Sequence, residues 1–444
     1  RSPSTGVLCR DGRALLTDSG ENPNTETSVK ILIVGAGIGG LITALSLERA
    51  GFDDVIVVER AHEIRGLGVG INLLPHAVRE LTELGVAEHI VALGVEPTTL
   101  AYYNRFGQEI WTEPRGTAAG YDWPQLSVHR GKLQVELARL VNERLAEPIR
   151  LGHRLVDLHD ATAVFELPSG ERTEFTADVI VGADGINSTA RTILYPADPG
   201  PIWSGITMWR GTALVEPTLD GSTMVMVGDP ELKFVTYPLQ APRDDGKQLV
   251  NFIAERTGGG FRDGDGADWN RAVDREPVAA LFNDWVFDWI DVPAIVRASE
   301  EILEYASSDV EALPQWSFGT VTLLGDAAHA MYPNGSNGGS QATLDARTLA
   351  YQLATQPTVA AALTEYEQAR RPLTTALLAK TRQTGPERIM ALARERAPQG
   401  FTHVHDVISR EELEEIAADY KRAAGFHPDH LHARSSLTVE VEGP

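Results

Sequence analysis

The chain has 444 residues, 43% of them apolar and 23% charged, with a formal charge of -23. That length exceeds what one hydrophobic core organises, so two domains or one large interleaved α/β unit is expected. So acidic a chain argues against nucleic acid as partner, which needs basic groups facing phosphates, and against docking on an anionic membrane. The lone cysteine, Cys9, excludes a disulfide framework and points to a reducing, cytoplasmic compartment. No apolar run reaches the length of a bilayer span. The expected partner is a small molecule, on a monomer or homodimer.

Residues 1–28 are polar and lack the apolar stretch of a secretion signal, so they read as a disordered leader. "VKILIV" (29–34) is a β-branched strand, and "GAGIGG" (35–40) follows it. "LITALSLERAG" then has helical spacing and stops at Gly51, and "VIVVE" is a second strand ending at Glu59. In this order each glycine has a purpose. Gly35 permits a tight turn, Gly37 lets backbone approach a pyrophosphate, and Gly40 lets helix and strand pack closely. The helix start offers free N–H groups to phosphates, and Glu59 stands at the spacing of a ribose-binding acid. The pattern predicts dinucleotide binding without separating NAD from FAD.

"RGLGVGINLLPHAVRELTELG" (65–85) has three glycines before a helix starting near Pro75, with Val78, Leu81 and Leu84 as its core face. The glycine-rich entry is expected to lie close to a ligand, with a plain loop as the other reading. "SVHRGKLQVELARLV" (127–141) places Leu133, Leu137 and Leu140 on a helix face. Arg130 at its entry either reaches a phosphate or flavin edge or simply faces solvent. "ADVIVGADGINSTAR" (177–191) runs from a buried strand, 179–181, into Asp184-Gly185.

From Ile202 to Ala254, short β-rich runs predict a mixed sheet. "GGGFRDGDGADW" (258–269) reads as a turn-rich loop, and Trp285 and Trp289 as core positions on one helix face. "LLGDAAHAMYPNGSNGGSQATLDA" (323–346) turns at Gly325-Asp326, gathers glycines, and resumes helical spacing at Ala342. His329 is expected to fix this loop by hydrogen bonding. Residues 361–397 are helical with an interruption at 384–387, and Ser409 with Glu412 forms a capping box for a last helix. The histidines at 403–405 and 427–432 lack acidic or Cys partners at a ligand spacing, so they read as solvated and no metal site is predicted.

Three signatures thus stand in order: "GAGIGG", "GADGINSTAR" and "LLGDAAHAMYPNGSNGG". Together with "GVGINLLPHAV", "SVHRGKLQ" and "MWRG" (208–211), this arrangement resembles the single-component, class A FAD-dependent aromatic hydroxylases. It looks most like their phenazine-carboxylate and salicylate hydroxylase branch. The resemblance covers about Val29 to Lys380. It implies a Rossmann-like α/β FAD-binding domain with an inserted mixed β-sheet substrate domain and a C-terminal helical segment. The expected division is FAD-binding at 29–100, 127–200 and 311–380, substrate-binding at 101–126 and 201–310, and helices with a tail at 381–444.

The implied activity is hydroxylation of an aromatic or heteroaromatic ring through a flavin C4a-hydroperoxide, with FAD reduced by NADH or NADPH and dioxygen as co-substrate. A dehydrogenase or reductase on the same fold is the alternative, since fold alone does not decide chemistry. The ring compound, retention of any ring carboxylate and choice of nicotinamide all stay open. By resemblance, Gly35, Gly37 and Gly40 hold the ADP half of FAD, Glu59 its ribose, with Arg60 alongside, and Arg130 contacts the cofactor. Val156 lies near adenine, and Asp184 lies between FAD and the nicotinamide. Asp326 binds the ribityl and pyrophosphate region, while Gly338 and Gly339 offer N–H groups to the flavin ring. Many relatives carry a bulkier or polar residue near Gly339, and consecutive glycines are expected to loosen flavin positioning. No catalytic side chain is assigned, because the chemistry is the flavin's. Arg210, Tyr237, Tyr332 and Pro333 are the substrate-pocket candidates, with Arg210 suited to a carboxylate.

Overall fold

The computed structural model describes residues 29–66, 68–258, 271–383 and 385–440. The expected leader and most of the turn-rich loop at 258–269 therefore lie outside the described residues.

The first layer is a sheet of five strands in the order Val55–Val58, Ile31–Val34, Val179–Gly182, Val321–Leu323, Ser317–Phe318. The first four are parallel, and the last is a short antiparallel edge. The four parallel strands are buried along their whole length, as strands covered on both faces must be. Helices Ile38–Arg49, Arg130–Arg144 and Gly338–Thr355 belong to this body. A three-stranded antiparallel sheet, Arg154–Thr176, adds Leu155, Ala163 and Phe165 to the same core. The sequence reading had no place for that small sheet.

The second layer is a mixed sheet of eight strands. Its order is Arg271–Val273, Ser299–Asp309, Ile202–Val215, Gln248–Thr257, Leu232–Pro238, Thr223–Gly228, Thr99–Tyr103 and Glu109–Pro114. One face, with Val225, Phe234 and Phe252, packs on helices Arg275–Ala280 and Val292–Arg297. The other, with Tyr102, Met226, Val235 and Tyr237, packs on Ile389, Met390, Ala393 and Leu413 of the carboxy-terminal helices. Successive strand residues point to opposite faces, so one strand serves both clusters.

Two expectations are corrected. Trp285 precedes a small hairpin, Val286–Phe287 with Ile290–Asp291, and Trp289 lies in its turn, so the two do not ride a helix. The four-residue spacing matches the helical period but is set by a tight turn. Trp285 is buried, and Trp289 stacks on Tyr103 with ring centroids 4.0 Å apart. The helix after the glycine loop begins at Gly338, four residues before the apolar periodicity resumes. Its first turn is Gly-Gly-Ser-Gln, which carries no apolar period.

Candidate active site

The signatures meet at the carboxyl edge of the parallel sheet, where open α/β sheets hold ligands. Gly35 follows the strand Ile31–Val34, and its N–H donates to Val58 O at 2.8 Å. Its φ is +113°, and a Cβ there would come within 2.4 Å of Ala183 O. A Cβ on Gly40 would lie 2.0 Å from Gly35 O, so both positions need glycine for close approach. Gly37 is different: nothing lies within 4 Å of its virtual Cβ, which leaves open space beside the helix start. Leu324 N–H donates to Gly182 O at 3.0 Å, and a Cβ on Gly325 would lie 3.2 Å from Ala342 Cβ. All three glycine turns therefore form one contiguous edge.

Two long helices start at this edge without a side-chain cap: Ile38–Arg49 after Gly37, and Gly338–Thr355 after Asn337. Each leaves first-turn N–H groups and the positive end of a helix dipole available to an anion or carbonyl. Asp326, exposed at the first position of the turn Asp326–His329, has Oδ1 3.9 Å from the virtual Cβ of Gly338. Glu59 accepts from Ala36 N–H and Ala61 N–H, both at 2.9 Å, which fixes its carboxylate under the first glycine turn. Arg60 is exposed beside it. Arg130 opens the helix Arg130–Arg144 with its side chain exposed, and Gln134 of that helix donates to Ala36 O at 2.8 Å. Val156 is half-buried at an irregularity between Leu155 and Asp157. Amide rows for phosphates, acids for sugar hydroxyls and open space at Gly37 fit a dinucleotide-sized cofactor.

Asp184 takes part in a local cap. It accepts from Ser188 Oγ at 2.5 Å, Thr189 N–H at 2.7 Å and Ala190 N–H at 3.1 Å, holding the start of helix Thr189–Leu194. Burial pushes its carboxyl up, and these bonds oppose the shift.

Under the Gly325 turn lies a buried network that the sequence reading assigned only in part. His329 Nε2 lies 2.6 Å from Asp345 Oδ2, which also accepts from Gly325 N–H at 3.1 Å. Arg370 Nε donates to Asp345 Oδ1 at 2.7 Å. Burial opposes ionisation of Asp345, but His329 and Arg370 together bring it down to about 2. His329 thus fixes the loop, and its acceptor is Asp345. Asp345 gave no signal because it sits inside an otherwise ordinary helix.

The pocket candidates separate into two groups. Arg210 and Tyr237 share the inner face of the large sheet with Asn251 and Tyr305, which the sequence reading missed. Asn251 Oδ1 accepts from Gly70 N–H at 2.7 Å, and Arg210 Nη2 donates to Gly70 O at 3.1 Å. Gly70 therefore approaches this sheet closely: its virtual Cβ would be 2.8 Å from both Asn251 and Tyr237. Gly66 and Gly68 have open space around them. The Arg210 guanidinium stands 6.0 Å from the Tyr305 ring centroid. Burial pushes the Tyr237 hydroxyl up to about 12 against the pull of Arg210. Arg210 Nε and Asn251 Nδ2 are buried without hydrogen-bond partners.

Tyr332 and Pro333 are half-buried in the loop before Gly338. Burial first, and then the neighbouring Asp309, itself paired to Arg382 Nε at 2.6 Å, raise Tyr332 to about 12. Among the described residues, no three His, Cys, Asp or Glu converge as a metal site, and no helix is long and apolar enough to cross a membrane.

A dinucleotide-type parallel sheet with three glycine turns on one edge, facing a mixed sheet, defines a two-domain flavoprotein. A model of the FAD binding domain family matches residues 28–381. The chain is 41% identical to the phenazine 1,6-dicarboxylic acid hydroxylase of Lysobacter antibioticus over 367 residues, 81% of this chain and 90% of that protein. It is 31% identical to the aurachin C monooxygenase/isomerase of Stigmatella aurantiaca, over 78% of this chain and 86% of that one. In fold it is similar to a salicylate hydroxylase in its substrate complex, with a TM-score of 0.67 at 20% identity over 90% of this chain and 98% of the other. HpxO of Klebsiella pneumoniae with FAD and uric acid gives a TM-score of 0.68 at 22% identity over 91% and 95%. The chain belongs to the class A, FAD-dependent aromatic hydroxylases. It is an FAD-dependent aromatic monooxygenase, with NAD(P)H and dioxygen as the co-substrates of its class.

Proposed function

We propose that this enzyme hydroxylates a carboxylated aromatic ring, held between the inner face of the large sheet and the loop Tyr332–Asn337. One observation carries the reading. Arg210 Nε and Asn251 Nδ2 are buried donors without acceptors, and both side chains are fixed by Gly70, one through its C=O and the other through its N–H. Unpaired buried donors are rare, and a cation beside a spare amide suits a substrate carboxylate. Tyr237 keeps its proton at neutral pH and is a further donor to a ring substituent. Met208, opposite Tyr305 on this sheet face, gives a ring an apolar, adaptable wall. Relatives in the family include enzymes named for phenazine 1,6-dicarboxylic acid, 3-amino-4-hydroxybenzoate and 3-hydroxybenzoate, all carboxylated aromatics.

When bound, FAD supplies the redox chemistry, and the protein supplies position and dryness. We assign Gly35, Gly37, Gly40, Glu59, Arg60, Arg130 and Val156 to its ADP half, and Asp184 to the side where the nicotinamide passes. Asp326 holds the sugar-like chain. The N–H groups of Gly338 and Gly339 would hold the flavin ring, and the helix dipole there would favour negative charge without a formal cation. A Cβ on Gly339 would come 3.0 Å from Ile71 Cδ1, so the second glycine fits the packing against the Gly70–Leu73 strand. Consecutive glycines therefore match a close approach here, a physical reason for the departure from bulkier residues.

The test is a panel of aromatic acids, each paired with its decarboxylated analogue, assayed for stimulated NAD(P)H oxidation with mass spectrometry of products. Stimulation and oxygen insertion with the acids alone support the reading. Equal response to both members of every pair removes the carboxylate from it.

A further inference from the structure

We propose that Tyr420, on the carboxy-terminal helix Arg410–Ala423, is a positioning residue for the loop Pro333–Asn337 and so for the N–H groups of Gly338 and Gly339. This rests on the reading of those two glycines as the edge that holds the flavin ring.

The Tyr420 hydroxyl is fully used by the loop. It donates to Asn334 O at 3.1 Å and accepts from Asn337 Nδ2 at 2.8 Å. The residue is 5% exposed. Between the two asparagines lies Gly335, with φ +79°, whose virtual Cβ would come within 2.1 Å of the Tyr420 hydroxyl oxygen. Only a glycine lets the phenol reach both neighbours. Gly385, with φ +53°, borders the other side of the ring, 3.4 Å from its virtual Cβ to Tyr420 Cε2. Ser336 is held at φ +56°, a conformation that a non-glycine residue keeps only when its surroundings impose it.

The clamp continues into the helix that the loop feeds. Gln341 donates to Asn337 Oδ1 at 3.2 Å and to Ala424 O at 3.1 Å, and Arg370 donates to Gln341 Oε1 at 2.6 Å. Asn337 is the residue at the start of helix Gly338–Thr355. The Tyr420 hydroxyl therefore fixes where that helix begins.

The helix bearing Tyr420 is itself anchored on both sides of it. Lys421 Nζ pairs with Glu113 Oε2 of the large sheet at 2.8 Å, and Lys380 Nζ with Asp419 Oδ2 at 2.6 Å. Tyr420 so links the sheet carrying Arg210 to the loop bordering the glycine edge. A hydroxyl 81 residues beyond the last signature, which ends at Gly339, is set to control the spacing between ring and substrate.

Tyr420→Phe keeps the ring in its slot and removes both bonds. In the FAD-loaded variant, hydrogen exchange at Gly335–Gly339 rises roughly tenfold, as expected for two lost hydrogen bonds of ordinary strength. The share of NAD(P)H oxidation that ends as hydrogen peroxide rises by about threefold or more, because hydroxylation depends on placement to within an ångström. Glu412→Ala, which removes the exposed Arg396 pair at the far end of the same helix, leaves both readouts at wild-type values. Wild-type exchange at Gly335–Gly339 in Tyr420→Phe overturns the proposal, and so does a Glu412→Ala variant that reproduces both changes. A wild-type enzyme that hydroxylates no aromatic acid defeats the functional reading instead, and the exchange measurement still decides the clamp.

Discussion

Arg210 and Gly70, 140 residues apart, are joined by a 3.1 Å hydrogen bond from the guanidinium to the peptide carbonyl. The contact fixes the large sheet against the strand that packs beside Gly339. It leaves Arg210 Nε without an acceptor. Replacing Arg210 with Ala raises KM for a carboxylated aromatic by about 10- to 100-fold, the value of a charge-assisted pair. The decarboxylated analogue is affected much less. Steady-state kinetics on one matched pair checks this, and equal effects on both compounds remove Arg210 from carboxylate recognition.

Asp326→Ala weakens FAD binding by roughly tenfold, the worth of a hydrogen bond to a charged group. Asp326 is exposed, so the fold has little need of its side chain. Titration of apoprotein with FAD, followed by flavin fluorescence, gives the dissociation constant. An unchanged constant takes Asp326 out of the cofactor site.

Asp345→Asn destabilises the protein by about 3–5 kcal/mol, because it leaves buried His329 and Arg370 without their carboxylate. The sign with pH follows from the depressed carboxyl. Its contribution is complete above the unfolded value near 4 and is lost as pH falls toward the folded value of about 2. Urea unfolding of both proteins should show a constant gap at neutral pH that narrows only below about pH 4.

His76 also loses stability on acidification, but in a higher pH window. It is buried with neither ring nitrogen hydrogen-bonded, and burial first, then Arg434 and Arg370, lower it from 6.5 to about 3. The unfolded chain binds this proton before the folded one does. Stability from a neutral His76 is therefore full above pH 6.5 and declines as pH falls, by up to about 1.4 kcal/mol per unit. His76→Leu should flatten that decline between pH 6 and 4 while costing little at pH 8. A wild-type slope retained in the variant assigns the acid sensitivity elsewhere.

The glycine turns were legible in the sequence because their constraint is local. Gly40 is required by Gly35 O within one strand, turn and helix, and Gly35 by the positive φ of that turn, so spacing alone carried the message. The same holds for Asp326, placed by the turn that follows its own strand. Asn251, Tyr305, Asp345 and Tyr420 were not legible, since each acquires its partners from strands or helices distant in the chain. Nothing around Asn251 in "LVNFIAE" distinguishes it from a strand residue facing its neighbours. Trp285 and Trp289 failed for the opposite reason: a spacing that fits a helix was made by a hairpin. The start of the helix at Gly338 escaped because glycine carries no hydrophobic period.

The most direct test of the central claim is turnover of an aromatic acid with NAD(P)H under isotopically heavy dioxygen, with the product mass recorded. The account predicts one heavy oxygen atom on the ring of the product. Oxidised nicotinamide with the aromatic acid recovered unchanged and the heavy oxygen found only in peroxide, for every stimulating acid, contradicts it.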